Sequence, residues 1–182
     1  MLLGAKRLLD LFPDAAAERI ALTAALGEQI EQLHAHWRSG KRVAVLVSGD
    51  PGFFSAAHNV IRRFGRDHCT IIPAVSSLQV AFARLGLEWG DAKIFTAHGR
   101  SPALDATALS GEDKIAILGG TAQAASLVAD LADELAASHR LYVCENLTLE
   151  NERIECLDAG ALRSRPLESL AIALLIRKEL MA

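Results

Sequence analysis

Residues 43–55 read VAVLVSGDPGFFS, and this stretch indicates the fold class. Its five consecutive apolar residues are mostly β-branched, which predicts a strand buried on both faces of a parallel sheet. Gly49, Pro51 and Gly52 cannot continue that strand, so the chain turns sharply at its carboxyl end. Open α/β sheets bind ligands outside the carboxyl ends of their strands. The sequence therefore predicts a ligand-binding loop at this position.

Asp50 gives this loop two interpretations. As a ligand contact, its carboxylate accepts hydrogen bonds from hydroxyl or ammonium groups, while Gly49 and Gly52 let the backbone approach the ligand closely. As part of an ordinary strand-to-helix turn, the same carboxylate accepts hydrogen bonds from local backbone amides. The spacing of the residues alone favours the ordinary turn.

Composition excludes several classes of protein. The chain has 182 residues and is 51% hydrophobic, which is ample for one large domain or two small ones. Its net charge of -3 argues against a nucleic-acid partner. Cys69, Cys144 and Cys156 form no CxxC pair, so we expect reduced thiols, no disulfide and no metal site. No apolar run reaches the roughly 18 residues of a membrane span, and no signal peptide is recognisable. We therefore expect a cytoplasmic protein without membrane contact.

The remaining patterns alternate between strands and helices. They predict strands at 1–4, 69–72, 93–97, 115–118, 141–144 and 170–176, a strand or hairpin opening at 151–154, and helices at 5–12, 24–38, 55–64, 76–85 and 121–137. The alternation on either side of the irregular stretch 90–113 predicts two small α/β lobes, 1–92 and 93–182, with a ligand cleft between them.

A second candidate loop follows the predicted strand 69–72. Ser76 and Gln79 have the spacing of a capping box, in which the Ser76 hydroxyl accepts from the amide of residue 79. The first turn of this helix also carries the Ser77 hydroxyl. Because the turn lies at the carboxyl end of a predicted strand, we expect it to line the same crevice as residues 49–52.

Four motifs carry a resemblance to a known family. They are GAKRLLDLFP at 4–13, LVSGDPGFF at 46–54, IIPAVSSLQVAFARLGLEW at 71–89 with HGR at 98–100, and CENLTLENERI at 144–154. In this order the motifs resemble the tetrapyrrole methylases, and within them the enzymes that methylate C-5 of the precorrin ring in cobalamin biosynthesis. The resemblance spans nearly the whole chain. It implies two αβα lobes with S-adenosylmethionine bound between them.

The resemblance also implies which residues hold the cofactor. The family's GDP loop falls on Gly49, Asp50 and Pro51, and the pair after the next strand falls on Ser76 and Ser77. The cofactor contacts of the second lobe fall on Leu118, Gly119, Glu145, Asn146 and Leu147. The implied partner is a precorrin or cobalt-precorrin substrate, and family members are often homodimers.

Three further side chains are candidates for the substrate side of the site. Precorrins carry many carboxylates, which arginine binds through paired hydrogen bonds, and Arg100 and Arg153 each lie beside a family motif. His98 is a candidate acceptor for the proton released on methylation, because its ordinary pKa is near neutrality. The alternatives are two surface arginines and a structural turn histidine.

One departure from the family pattern concerns the start of the chain. The family begins with a strand and a Gly-x-Gly-Pro-Gly loop, and this chain begins at the following segment, so the first strand of the amino-terminal lobe is absent. We expect the natural protein to extend upstream of Met1. Two other functions stay open: a related methylase acting on ribosomal RNA or diphthine, and a shortened chain that binds cofactor poorly or serves only as an interaction module.

Overall fold

A computed structural model describes residues 1–97, 102–165 and 167–181 of the chain. By its internal contacts the chain divides into two compact units, 1–76 and 77–182. The boundary between the units falls at 76/77, whereas the sequence predicted a lobe boundary at 92/93. The difference arises because the helix Ser77–Leu85 packs against the last strand of the chain, Ala171–Arg177.

The first unit is a small parallel sheet with helices. Its elements are β1 (Leu2–Gly4), α1 (Lys6–Leu9), β2 (Arg19–Ala21), α2 (Leu26–Arg38), β3 (Ala44–Leu46), α3 (Ala57–Phe64) and a 3-10 turn at Arg66–His68. The strand order is β2-β1-β3, and both pairings are parallel. This arrangement confirms the predicted parallel α/β character of the amino-terminal half.

Helix periodicity explains the core of the first unit. Ile30 and Leu33 of α2 are buried together with Leu3 of β1 and Phe64 of α3. Their spacing puts the α2 residues on one face of the helix, as the sequence predicted. Gly40, with φ +86°, follows the helix in a backbone conformation that side chains other than glycine rarely adopt.

Two expectations for this unit are wrong. β3 has three residues and lies at the edge of the described sheet, so its side chains are exposed or half-buried and not covered on both faces. Residues 69–72 form no strand, because none of the described strands pairs with them, and Ile72 is 77% exposed. β2 was not predicted, because Arg19–Ala21 is exposed or half-buried and carries no apolar run.

The second unit is built on a mixed sheet. Its elements are α4 (Ser77–Leu85), β4 (Lys93–Thr96), α5 (Ala106–Leu109), β5 (Lys114–Leu118), α6 (Ala122–Glu134), β6 (His139–Glu145), β7 (Arg153–Leu157), α7 (Ala159–Arg163), β8 (Ala171–Arg177) and a 3-10 turn at Lys178–Met181. The strand order is β4-β5-β8-β6-β7. Among the described pairings of this sheet, β4–β5 is parallel and the other three are antiparallel.

The position of β8 accounts for its composition. It lies antiparallel between β5 and β6, and residues 171–176 are all at most 3% exposed. A strand covered on both faces carries a nearly continuous apolar run, which is how the sequence identified it. β6 and β7 form the hairpin that was one of the two predicted forms of residues 151–154.

α6 covers the core of this unit with its small and branched side chains. Ala125, Val128 and Leu131 are among its buried residues. Thr121 precedes the helix, and its hydroxyl accepts a hydrogen bond from the Ala124 amide, which caps the first turn. Across the described residues, no helix has the length and hydropathy needed to cross a bilayer.

Candidate functional site

The loop after β3 has the geometry of a tight turn. Gly49 has φ +69°, and the Asp50 carboxylate accepts a hydrogen bond of 2.6 Å from the Gly52 amide through Oδ1. A Cβ on Gly52 would lie 2.9 Å from that oxygen, so the turn requires glycine there. The Ser55 hydroxyl donates to the Pro51 carbonyl and closes the loop. The ordinary-turn interpretation of Asp50 therefore holds for one carboxylate oxygen, while Oδ2 makes no hydrogen bond with any described residue.

Gly49 also brings this loop against the second predicted loop. A Cβ at Gly49 would lie 3.2 Å from the Ser76 Cα, so the two backbones touch at this point. Ser76 is buried, and Ser77 begins α4 immediately after it. Gly49, Asp50, Pro51 and Ser76 thus form one cluster in the first unit.

A pocket opens beside this loop, and the sequence did not predict that Leu8 and Leu22 line it. It encloses about 140 Å³ at the carboxyl end of β3, and its lining includes Leu8, Leu22, Leu46, Ser48 and Phe54. Phe54 has φ +47° and is 48% exposed. The aromatic pair at 53–54 was the one sequence signal for an apolar surface at this point, because large exposed aromatics often mark contact sites.

The predicted residues of the second unit also converge. β5 and β6 flank β8, so the ends of both strands meet its first residues. The Gly119 amide donates to the Ala171 carbonyl at 3.2 Å, and the Asn146 amide donates to the Leu170 carbonyl at 3.3 Å. Leu118, Gly119, Glu145 and Asn146 therefore lie around a single turn of chain at residues 170–171.

Close packing at this point depends on two glycines. Gly119 has φ +154°, and a Cβ there would lie 3.1 Å from the Ala97 Cβ. A Cβ at Gly120 would lie 1.8 Å from the Glu168 carbonyl oxygen, well inside contact distance. The segment after α7 therefore passes directly over the loop that joins β5 to α6.

Asn146 presents an unused amide group at this edge of the sheet. Its backbone has φ +52°, a left-handed conformation that asparagine tolerates better than most residues. The residue is buried, and its side chain makes no hydrogen bond to any other described residue. The side-chain amide therefore has donors and an acceptor free for a ligand, which makes Asn146 a candidate for binding one. Leu147 follows it and is half-buried.

The Glu145 carboxylate is fully buried and already occupied. Oε1 accepts from the Glu168 amide at 2.8 Å, and Oε2 accepts from Arg153 at 2.6 Å and from Arg165 at 2.9 Å. Burial alone would raise the pKa of Glu145. The Glu168 amide and the two guanidinium groups outweigh it and hold the pKa below its ordinary value.

Arg153 and Arg165 share the same two carboxylates. Arg165 also binds Glu155 at 2.9 Å, and Arg153 approaches Glu155 at 3.3 Å. The Arg165 Nε is buried and makes no hydrogen bond to the described residues. The sequence placed Arg153 with the substrate and Glu145 with the cofactor; the two side chains bind each other. Arg165 was missed because no local pattern marks a contact made across 20 residues.

A second ion pair ties α4 to the β6–β7 loop. Arg84 binds Glu152 with its Nε at 2.6 Å and its Nη2 at 3.2 Å, and the Thr148 amide donates to the same carboxylate at 2.6 Å. These contacts hold the pKa of Glu152 below its ordinary value, with the Arg84 hydrogen bond the main cause. The ion pair therefore connects the loop after Asn146 to α4.

Two of the predicted site residues, His98 and Arg100, lie outside the described residues. Within the described ranges, no three His, Cys, Asp or Glu side chains are grouped so that they could hold a metal ion. The three cysteines, which lie within those ranges, are free thiols, and burial raises the pKa of Cys144 to about 12.

Comparison with known proteins agrees with the motifs. The family model of the tetrapyrrole (corrin/porphyrin) methylases matches residues 2–162. A cobalt-precorrin-7 C(5)-methyltransferase of Salmonella typhimurium is 34% identical over 167 residues, which cover 90% of this chain and 80% of that protein. The sequence prediction of the family is therefore confirmed.

Solved structures give the same fold. The precorrin-6Y methylase of cobalamin biosynthesis from Archaeoglobus fulgidus superposes with a TM-score of 0.70 at 27% identity, covering 97% of this chain and 83% of that one. Uroporphyrin-III C-methyl transferase from Thermus thermophilus, solved with S-adenyl homocysteine, has a TM-score of 0.68 at 18% identity, covering 96% and 84%. The chain belongs to the tetrapyrrole (corrin/porphyrin) methylases.

Proposed function

We propose that this protein transfers a methyl group from S-adenosylmethionine to C-5 of a cobalt-precorrin or precorrin in cobalamin biosynthesis. The observation that carries the proposal is the 34% identity to a cobalt-precorrin-7 C(5)-methyltransferase along 90% of the chain. A match over 90% of the chain extends to residues of both compact units.

The residues present fit such a cofactor. In the first unit, Gly49, Asp50 and Pro51 form a tight loop with one free carboxylate oxygen, and Ser76 lies beside it. We also assign to the cofactor Ser77, the first residue of the second unit. That oxygen suits the hydroxyl or ammonium groups of the cofactor. The second unit offers Leu118, Gly119, Leu147 and the unused Asn146 amide. We assign Glu145 a positioning role, because both of its carboxylate oxygens already accept hydrogen bonds from other residues of the protein.

S-adenosylmethionine, when bound, supplies a methyl group that is already activated by the sulfonium charge. The protein is then required to align the two reactants and exclude water, which lowers the barrier without a nucleophilic side chain. A mechanism without a nucleophilic side chain is compatible with the properties of Cys144. Its buried thiol has a raised pKa, so it stays protonated and unreactive.

We propose that arginine side chains bind the carboxylates of the substrate. Arg153 is held by Glu145 and Glu155 through Nε and Nη2, and its side chain is 47% exposed. The remaining Nη1 makes no hydrogen bond with other described residues, and we assign it to a ring carboxylate of the substrate. Arg100 is proposed to bind a second carboxylate, and His98 to accept the proton lost from C-5.

Methylation assays test the proposal directly. The purified protein is given S-adenosylmethionine and, in turn, cobalt-precorrin-7, its cobalt-free counterpart, ribosomal RNA and diphthine. A mass increase of one methyl group on a precorrin, located at C-5 by NMR, is the expected result. Methyl transfer to RNA or diphthine alone would replace this function with another. Cofactor binding without methylation of any substrate would contradict the assignment of C-5.

Two finer proposals rest on the family alone. We propose that the protein acts as a homodimer and works in the cytoplasm, where the precorrin pathway would supply its substrate. Sedimentation equilibrium gives the mass of the assembly, and a single species at the monomer mass of 19.5 kDa would contradict the dimer.

A further inference from the structure

A second pocket lies at the amino end of β3, the opposite end of the strand from Gly49. It has a volume of about 360 Å³ and is lined mainly by two kinds of side chain. Trp37, Phe64 and His68 give aromatic surface, and Lys41 and Arg42 give positive charge. A volume of this size is within the roughly 300–1,000 Å³ of small-molecule sites.

The aromatic wall is held in place by the core. Phe64 is buried, and its ring centroid lies 5.5 Å from that of Trp37. The Trp37 ring in turn lies 5.0 Å from His68 and 5.4 Å from His34. Rings packed this way are fixed before a ligand arrives, so stacking on Trp37 costs little ordering entropy.

The cations of the pocket are unpaired. The side chains of Lys41 and Arg42 make no hydrogen bond or ion pair with any other described residue and are exposed. Six of the thirteen described arginines differ in this respect, because ion pairs hold Arg63, Arg84, Arg153, Arg163, Arg165 and Arg177. Two neighbouring cations without carboxylates leave a positive potential that an anion can neutralise.

The nearby carboxylates do not fill that role. Glu31 lies on α2 and is bound by Arg63 at 2.6 Å, and Asp67 precedes His68 without lining the pocket. Among the described residues, the lining therefore contains positive charge and aromatic surface and no acidic group.

We propose that this pocket binds a planar aromatic anion, with the ring against Trp37 and the acidic groups on Lys41 and Arg42. Aromatic rings stack on indole, while ammonium and guanidinium groups form charge-assisted hydrogen bonds with phosphate or carboxylate. Two sources share this chemistry, a nucleotide and a carboxylated tetrapyrrole. The site is separate from the loop at Gly49, so it does not depend on the proposed methyl transfer.

Tryptophan fluorescence gives a direct readout. The chain has two tryptophans, Trp37 and Trp89, so Trp89→Phe leaves Trp37 as the only reporter. ATP and a porphyrin octacarboxylate are titrated separately, each with excess S-adenosylhomocysteine to block the cofactor site, and the porphyrin arm is repeated by calorimetry. Saturable quenching by one of them identifies the source of the ligand. No saturable signal with either ligand up to millimolar concentration overturns the proposal.

Matched charge variants connect the signal to the pocket. Lys41→Gln with Arg42→Gln is expected to weaken binding about tenfold or more, because the bound anion loses its two charge-assisted contacts. Arg7→Gln with Arg140→Gln removes the same charge from exposed, unpaired positions and is expected to leave affinity unchanged. Equal weakening in both double variants would show only nonspecific charge attraction and would overturn the site.

Discussion

Arg153 donates two hydrogen bonds to a single oxygen of Glu145, with its Nη2 at 2.6 Å and its Nε at 3.0 Å. The carboxylate is fully buried while the guanidinium is half exposed. Arg165 donates to the same oxygen through its Nη1 at 2.9 Å. Glu145 is therefore the point at which β6, β7 and the segment before β8 are joined.

Removal of this charge is expected to destabilise the protein. Glu145→Gln keeps an oxygen for the Glu168 amide but leaves Arg153 and Arg165 without their shared partner. A fully buried ion pair costs about 3–5 kcal/mol when broken, but water can solvate the half-exposed Arg153, so we expect a loss of about 1–3 kcal/mol in the free energy of unfolding. Urea denaturation measures the loss. Glu150→Gln, at an exposed position without a partner among the described residues, is the control and should change stability by less than about 0.5 kcal/mol. A Glu145→Gln loss as small as the control would contradict this role.

The same carboxylate predicts how stability depends on acid. The pKa of Glu145 is lower in the folded protein than in the unfolded chain, so the unfolded chain binds the proton more readily. Its contribution is complete above the ordinary glutamate pKa of about 4.3 and is lost as the pH falls through the folded value. The difference in unfolding free energy between the wild type and Glu145→Gln should stay constant from pH 7 to about 5 and shrink below about 4.3. If this difference in unfolding free energy grows on acidification, the pKa of Glu145 is raised in the folded protein and the prediction is wrong.

Gly120 is expected to tolerate no side chain. A methyl group there would lie 1.8 Å from the Glu168 carbonyl oxygen, so Gly120→Ala must displace the segment that Glu145 holds. We expect a loss of about 3 kcal/mol or more, the upper end of the range for overpacking. Gly111→Ala is the control, since nothing lies within 4 Å of its Cβ position. Thermal and urea unfolding of both variants provide the comparison, and equal stabilities would show that residues 168–169 move aside freely.

The sequence predicted the elements whose own pattern decides their structure. β8 and β5 were both recognised from their continuous apolar runs. A strand in the middle of a sheet is covered on both faces, so its residues are apolar whichever strands it pairs with. The edge position of β3 and the absence of a strand at 69–72 were not predictable in this way. Both depend on which strand lies alongside, and five apolar residues have the same local propensity at the edge of a sheet as at its centre.

The candidate site was predictable in its backbone and not in its side-chain pairing. The glycines at 49 and 119 marked positions of positive φ, which follow from local geometry. The contacts of Glu145 with Arg165 and of Glu152 with Arg84 join residues 20 and 68 positions apart. Charged residues are common along the chain, and only the folded arrangement selects which of them meet.

The Arg84–Glu152 pair is expected to control the order of the loop after Asn146. Arg84→Gln removes one partner, and Glu152→Gln keeps an acceptor for the Thr148 amide but loses the charge. Amide hydrogen exchange by NMR at Thr148 and Leu149 should accelerate in each single variant. Because both variants break the same contact, the double variant should exchange no faster than the faster single one. Additive effects would show that the two residues act independently, and Arg140→Gln is the charge control.

Variants of Asp50 distinguish its role in the turn from its proposed role in cofactor binding. Asp50→Asn keeps an oxygen for the Gly52 amide and removes the charge, whereas Asp50→Ala removes both. If the free Oδ2 binds S-adenosylmethionine, Asp50→Ala should weaken that binding by about 1–3 kcal/mol, the cost of a lost hydrogen bond to a charged group. Asp50→Asn should lose part of that affinity while unfolding like the wild type. Ser77→Ala should cost about 0.5–1.5 kcal/mol in the same assay, because its hydroxyl is neutral. Calorimetric titration of S-adenosylmethionine gives the affinities, and circular dichroism reports the fold. If both Asp50 variants keep the wild-type affinity and circular dichroism spectrum, Asp50 has only its structural role in the turn.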